Sequence, residues 1–292
     1  MAPRLAFLST EDLTDFVCDD ALAAECFLSQ GVEVDTLAWQ SPTDWAAYDA
    51  VLIRSTWDYQ RHPEPFLQVL RTIDKQATLL NPVEVVQWNM HKRYLLELQA
   101  QGVPIVPTRL TRGLFPATLD RWRQDLDASE LIVKPAIGAS ADDTFRLPKD
   151  LPEASLKEIC DCFVDREALV QPFLQSIEQE GEFSLFFFAG ALSHSIQKIP
   201  KQGDFRVQEE HGGDIRALPY PDADLVQAAQ AAVRCVPQPL LYARVDLVRD
   251  ADGSPRLMEL ELIEPALYFR TDADSAQRFT QATLRWLQAG PQ

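Results

Sequence analysis

The sequence lacks several things at once, and each absence removes a class of protein. It has no run of about twenty apolar residues, so no transmembrane helix is expected. Met1 to Leu5 lead straight into a short apolar stretch with no signal-peptide core, which makes the cytoplasm the expected compartment. Cysteine is sparse: five residues, Cys18, Cys26, Cys160, Cys162 and Cys235, odd in number and scattered. Cys160-Asp-Cys162 lacks the CxxC spacing, so the thiols read as reduced, with no disulfide or metal framework. Positive charge is in deficit. Lys and Arg number 27 against 44 Asp and Glu, and the net charge of −17 argues against nucleic acid or an anionic membrane as a partner. No internal repeat, low-complexity linker, Walker A loop or GxGxxG fingerprint occurs. What remains is an ordinary globular composition, 46% hydrophobic over 292 residues, enough for one large domain or two or three smaller ones.

The most informative stretch is Leu240 to Phe269. Two apolar runs flank the turn-rich segment Asp250 to Pro255, which is the sequence form of a β-hairpin. In the second arm Met258, Leu260 and Leu262 alternate with Glu259 and Glu261, so the glutamates share one face and the apolar residues the other. In the first arm Arg244 and Asp246 share a face, opposite Val245 and Leu247. A turn centred between Asp252 and Gly253 pairs Asp246 with Glu259 and Arg244 with Glu261. Three carboxylates then converge beside one arginine. Cross-strand acids repel, and a hard cation such as Mg²⁺ would turn that repulsion into coordination. The plainer reading is the solvated face of an acidic hairpin. An EF-hand is excluded: Asp250-Ala-Asp-Gly253 lacks a third acid before the glycine and a glutamate at the twelfth position.

Taken from the start, the chain predicts strands at 4–8, 32–37, 50–53 and 78–80, with helices over 19–30 and 63–75. That β-α-β-β-α-β order implies a small α/β unit with a mostly parallel sheet. Directly after the third strand comes Arg54-Ser-Thr-Trp-Asp-Tyr59, where open α/β sheets bind ligands. Arg54, Trp57, Asp58 and Tyr59 there suit a polar small molecule, or equally an Arg–Asp pair under packed aromatic rings. A helix is predicted over 88–101, carrying Lys92, and a buried strand at 131–133 ends in Lys134. Gly138-Ala-Ser140 is small and flexible enough to lay backbone N–H groups over a phosphate. A strand over 168–173 leads to Glu178 and Glu182, and 183–188 with 192–199 form a hairpin bearing Lys198. The loop 203–213 is rich in charge and glycine and long enough to be functional; Arg206, His211, Gly212 and Gly213 lie in it. Helices close the pattern at 223–236 and 274–288.

In this order the pieces resemble the ATP-grasp superfamily, and within it the prokaryotic glutathione-synthetase-like branch. Lys92 and Lys134 are similar to that family's two phosphate-contacting lysines, and Gly138 to Ser140 to its phosphate-covering loop. Gln171-Pro-Phe173 resembles the strand that meets adenine, with Glu178 or Glu182 near the ribose. Asp246, Glu259 and Glu261 resemble its metal triad, with Glu261 standing where the family usually has Asn. Arg54 to Tyr59, the 203–213 loop and Glu259 to Pro265 resemble more narrowly the group of the D-cycloserine-forming (O-ureido-D-serine) cyclo-ligase.

The resemblance implies a mixed α/β chain. An α/β pre-domain occupies residues 1–86, a subdomain with a small lid 87–175, and an antiparallel-sheet subdomain with the metal-binding hairpin 176–292. It implies ATP and Mg²⁺, with Mn²⁺ as a substitute, and a small amino-acid-like carboxylate activated through a phosphorylated intermediate. Arg206, Lys198 and Arg244 would be catalytic. Lys92, Lys134, Gly138, Ser140, Gln171, Phe173, Glu178 and Glu182 would hold the nucleotide. Arg54, Trp57, Asp58, Tyr59, His211, Gly212 and Gly213 would hold the substrate. Ligases of this fold are commonly dimers, so a homodimer is expected with it. Two alternatives stand beside the two-substrate ligase: a cyclo-ligase acting on one amino-acid-derived molecule, and a non-catalytic nucleotide- or metal-binding protein.

Overall fold

The computed structural model describes residues 3–289; residues 1–2 and 290–292 lie outside it. The first layer is a parallel sheet of β1 (Arg4–Ser9), β2 (Glu33–Ala38), β3 (Ala50–Ser55) and β4 (Thr78–Leu80) in the order β2-β1-β3-β4. Helices α1 (Asp20–Ser29) and α2 (Pro63–Asp74) make the crossovers. The continuous apolar runs of β1 and β3 suit strands covered on both faces. One face, with Ala6, Leu8, Val51 and Ile53, packs on Phe66 and Leu70 of α2. The other, with Leu5, Phe7, Ala50 and Leu52, shares a core with Phe186, Phe188, Tyr242 and Phe279 from the far end of the chain. The N-terminal unit is thus bolted to the C-terminal one through apolar surface.

The helix expected over 88–101 is two helices, α3 (Val83–Asn89) and α4 (Tyr94–Ala100). No glycine or proline marks the break, so the apolar spacing runs through it unseen. Lys92 lies in the break rather than on a helix, and its backbone N–H donates to the Ala136 carbonyl at 2.7 Å.

The second sheet is antiparallel, with β5 (Arg109–Arg112), β6 (Leu131–Pro135), β7 (Phe145–Leu147) and β8 (Glu167–Pro172) in the order β5-β8-β6-β7. Helices α5 (Pro116–Asp125) and α6 (Glu153–Cys162) cover one face around Leu131, Val133 and Phe163. After the single turn α7 (Ser176–Gln179) comes the third sheet: β9 (Glu182–Phe188), β10 (Ala191–Ile199), β11 (Asp214–Ala217), β12 (Tyr242–Arg249) and β13 (Pro255–Glu261). Its order is β11-β10-β9-β12-β13, all antiparallel. Helix α8 (Ala223–Arg234) packs with α4 on the face carrying Ala243, Val245, Leu247, Leu257 and Leu260, and α9 (Ser275–Ala289) closes the core shared with the first sheet.

The expected register is present: Asp246 faces Glu259 and Arg244 faces Glu261. A bulge then makes Leu247 face Leu257, leaving Met258 as an extra residue. Leu257, not Met258, joins Leu260 and Leu262 in the core; Met258 turns to the opposite, cleft side. β13 is an edge strand; its outward backbone groups bond the 104–106 backbone at Leu257 and side chains beyond it. Asn89 donates to the Leu260 carbonyl and accepts from Leu262 N–H, at 2.8 and 3.0 Å. The Tyr94 hydroxyl accepts from Leu260 N–H at 3.0 Å, and Asn81 donates to the Leu262 carbonyl at 2.8 Å. The acidic strand is therefore clamped from α3 and α4.

His194 of β10 gives a pH test of this core. It stacks on Phe186 with ring centroids 4.2 Å apart, and its Nε2–H donates to the Leu267 carbonyl at 2.9 Å. Burial pulls its pKa down from 6.5 to about 4. The folded protein therefore binds fewer protons than the unfolded chain between those values, so stability is full above pH 6.5 and falls as pH drops toward 4. In His194→Gln the decline of melting temperature across that window is expected to be shallower, measured by thermal denaturation from pH 4 to 7.

Candidate active site

The cleft lies on the open face of the third sheet. Alternation places Glu182, Ser184 and Phe186 of β9, Lys198 of β10, and Tyr242, Arg244 and Asp246 of β12 on that face, with Glu259 and Glu261 of β13 beside them. Along the sheet the face changes character. Phe186, Phe188 and Tyr242 meet the N-terminal unit, charged residues fill the middle, and Val248, Val106, Val207 and Ile177 make an apolar patch at the other end.

The charges are arranged as pairs, buried for Asp246 and Glu182 and half-buried for Glu259 and Glu261. Arg244 makes a forked contact with Asp246, Nη2 to Oδ2 at 2.9 Å, and also bonds Glu261. Asp246 further accepts from Ser184 and faces Lys198 at 3.4 Å; Lys198 also pairs with Glu182. Lys92 pairs with Glu259 and donates to the Gly138 carbonyl at 3.0 Å, tying the helix break to the phosphate-loop candidate. Burial alone would raise the Asp246 pKa, but Arg244 and Lys198 hold it down to about 2. Burial, with Asp246 and Glu259 nearby, pushes Glu261 up to about 7 despite Arg244. Burial depresses Lys134, whose Nζ has only Met258 Sδ as a contact, at 3.9 Å. A dry, partly unneutralised ammonium of this kind suits an anionic ligand.

Two connected compartments share Lys92, Gly138, Ala139, Ser140, Glu259 and Glu261. The first lies between the second and third sheets and is walled by Ile132, Lys134, Gln171, Ile177, Arg206 and Met258. The second opens toward the N-terminal unit and is walled by Phe16, Trp57, Tyr59, Lys198, Arg244 and Glu264. Ser140, Ala141 and Asp143 take left-handed φ values of 53, 56 and 50°, so the loop after Gly138 folds back over the cleft.

Of the expected site residues, Lys92, Lys134, Gly138, Ser140, Gln171, Glu182, Lys198, Arg206, Arg244, Asp246, Glu259, Glu261, Trp57 and Tyr59 come together in or under these compartments. Others do not. Arg54 is 1% exposed and does not face the cleft: its Nη2 donates to Asp20 at 2.8 Å and to the Pro265 carbonyl at 3.2 Å. Asp58 is taken by the Trp39 indole and the Gln40 amide, each at 2.7 Å. Phe173 lies under the Arg146 guanidinium, 3.7 Å from ring centroid to Cζ, and Glu178 pairs with Arg146 at 2.6 Å, both off the compartment walls. His211 Nε2 sits 3.3 Å from the Ser140 carbonyl, linking two loops rather than lining the cleft. A Cβ on Gly213 would lie 2.1 Å from the Val207 carbonyl, so that glycine serves the loop's own closure; Gly212, with φ of 84°, turns the chain beside it. Sequence reasoning missed Asn81, Asn89 and Tyr94, whose types carry no motif, and Glu264, which lies inside a stretch already singled out.

Among the described residues no three His, Cys, Asp or Glu side chains are grouped to hold an ion as they stand. The donor chemistry nevertheless suits a hard divalent cation. Asp246, Glu259 and Glu261 offer carboxylate oxygens, and burial together with the nearby Asp246 and Glu259 raises Glu261, a strain that a bound cation relieves.

A carboxylate-bearing hairpin, two buried lysines and a glycine loop over a cleft between two antiparallel sheets define an enzyme of the ATP-grasp type. Comparison with known proteins agrees. Residues 116–268 match the family model of the prokaryotic glutathione synthetase ATP-grasp domain, and residues 5–81 that of the D-cycloserine synthetase DcsG N-terminal domain. The chain is 33% identical over 268 residues to the cycloserine biosynthesis protein DcsG of Streptomyces lavendulae, covering 86% of this chain and 88% of that one. The crystal structure of D-cycloserine synthetase DcsG superposes with a TM-score of 0.85 at 30% identity, over 97% of this chain and 99% of that chain. The ATP-grasp ligase PsnB superposes at 0.67 with 17% identity, over 98% and 99% of the two chains. D-alanine–D-alanine ligase from Bacillus anthracis superposes at 0.68 with 15% identity, also over 98% and 99%. The chain belongs to the ATP-grasp family, in the branch of DcsG, and is an ATP-dependent ligase that uses a divalent metal. Among the described residues no helix is long and apolar enough to cross a membrane.

Proposed function

We propose that the enzyme closes a ring within one amino-acid-derived molecule, as a Mg²⁺-dependent cyclo-ligase of the cycloserine-forming kind. The observation that carries this is the wall that the N-terminal unit gives the second compartment. It is bounded by Phe16, Trp57 and Tyr59 of the N-terminal unit, the unit that matches the DcsG N-terminal model, and by Arg244 and Glu264 on its other side. The two-substrate alternative keeps the same phosphoryl chemistry and differs in where the nucleophile comes from.

The substrate carboxylate attacks the γ-phosphorus of ATP, giving an acyl phosphate and ADP. A nitrogen of the same molecule then attacks the acyl carbon, loses its proton, and phosphate leaves; where that nitrogen is the oxygen-bound nitrogen of a ureido group, water then cleaves its carbamoyl group to carbon dioxide and ammonia, giving the free ring. Bringing two anions together is the electrostatic problem. Lys92 and Lys134, which both line the first compartment, offset phosphate charge. Arg244 and Lys198, at the base of the second, orient the carboxylate and the departing phosphate. Asp246, Glu259 and Glu261 would hold Mg²⁺, which supplies neutralisation of the phosphate oxygens. Ile177, Val207, Met258 and the loop after Gly138 exclude water from a hydrolysable intermediate.

The test is O-ureido-D-serine as sole organic substrate, with ADP release measured against ring-closed product by mass spectrometry. Equal amounts of ADP and ring product, with no amine added, are expected. ADP release only on addition of a second amine would replace this reading by the two-substrate one.

A further inference from the structure

One buried carboxylate of the cleft is used by none of these steps; the exposed Glu210 also lines the second compartment. Lys92, Lys134, Lys198 and Arg244 face Glu182, Asp246, Glu259, Glu261 and Glu264. Four of the five acids are paired: Glu182 with Lys198, Asp246 with Arg244 and Lys198, Glu259 with Lys92, and Glu261 with Arg244. Glu264 is only 8% exposed and its side chain makes no hydrogen bond or ion pair with any other residue; its backbone carbonyl accepts from the Trp57 indole at 2.9 Å. Its own neighbour Pro265 is fixed through its carbonyl by Arg54. Two residues of the N-terminal unit thus hold this segment from behind while the Glu264 carboxyl lines the second compartment.

A buried, unpartnered carboxyl costs stability and persists where a ligand completes it. The wall around it is aromatic: Phe16 and Trp57 have ring centroids 5.1 Å apart, and Tyr59 stands beside them. Carboxylate together with ring faces is the chemistry that receives an ammonium. Arg244 and Lys92 line the same compartment and offer the positive charge that a substrate carboxylate needs. We propose that Glu264 is the receptor for the substrate's amino group, setting the orientation in which the carboxylate points to the phosphoryl site. The inference rests on the reading of the substrate as amino-acid-derived, and it adds which residue selects for the amine.

The test is calorimetric binding to the AMP-PNP-loaded enzyme of D-serine, L-serine and O-ureido-D-serine, and of 3-(ureidooxy)propanoic acid, which lacks the amine. The wild type is expected to bind O-ureido-D-serine about 100-fold more tightly than its des-amino analogue. Glu264→Gln should lose about that factor for the amine-bearing ligand, leave the des-amino analogue and AMP-PNP unchanged, and melt no lower than the wild type when empty. Glu264→Asp should recover part of the loss. Equal wild-type affinity for the pair, equal weakening of both ligands in Glu264→Gln, or failure of every amine-bearing ligand to bind would each overturn the assignment. Glu264-dependent amine binding without ring product would keep it and instead remove the cyclo-ligase reading.

Discussion

Glu259→Gln is expected to lower turnover about a thousandfold while the protein melts within a few degrees of the wild type. Glu259 stands at the point where the hairpin, the helix break and the glycine loop meet: it faces Asp246 across the strands, pairs with Lys92, and Lys92 reaches the Gly138 carbonyl. The amide keeps the size and one acceptor for Lys92, so packing survives. It removes the negative charge that raises the Lys92 pKa against the effect of burial, and one of three oxygen donors for the metal. Single-turnover ADP formation is the measurement. Activity within tenfold of the wild type would take Glu259 out of the phosphoryl site.

Arg54→Ala is expected to lower the melting temperature by about 10 °C, and any change in substrate KM should follow from that loosening. The sequence places Arg54 where a substrate carboxylate would be gripped. The fold instead buries it against Asp20 and the Pro265 carbonyl, with its guanidinium 5.5 Å from the Tyr242 ring centroid and 5.6 Å from that of Phe279. Removing one partner of such a pair strands the other and opens a cavity, an effect of about 3–5 kcal/mol. For a chain of this size each kcal/mol moves the midpoint by about 2–4 °C. Differential scanning calorimetry decides. An unchanged midpoint with a large rise in substrate KM would return Arg54 to the substrate site.

These two residues show what was legible in the sequence. Glu259 was, because strand alternation puts Glu259 and Glu261 on one face and a turn centred between Asp252 and Gly253 sets them opposite Asp246 and Arg244; the hairpin in fact turns about Asp252, and the bulge restores that register. The parallel order of the first four strands was legible for the same kind of reason: each crossover has its helix or connection in the chain. Arg54 was not, since a strand-end arginine looks alike whether it meets a ligand or an aspartate 34 residues away. Met258 was misplaced because a bulge shifts the alternation without any glycine to announce it. Lys92 was placed on a helix because the break at 90–93 has no sequence breaker; its cause is tertiary, the bond from Lys92 N–H to Ala136. Glu264 escaped because a buried carboxyl without a partner residue is a property of surroundings.

Phosphorylation of the substrate carboxylate in this cleft is the step on which ring closure depends. That is tested most directly by carrying ¹⁸O in the carboxylate of O-ureido-D-serine through turnover with ATP and analysing the released phosphate. An acyl phosphate intermediate predicts one ¹⁸O atom in each phosphate formed. Phosphate free of label, at measurable ring closure, would contradict it.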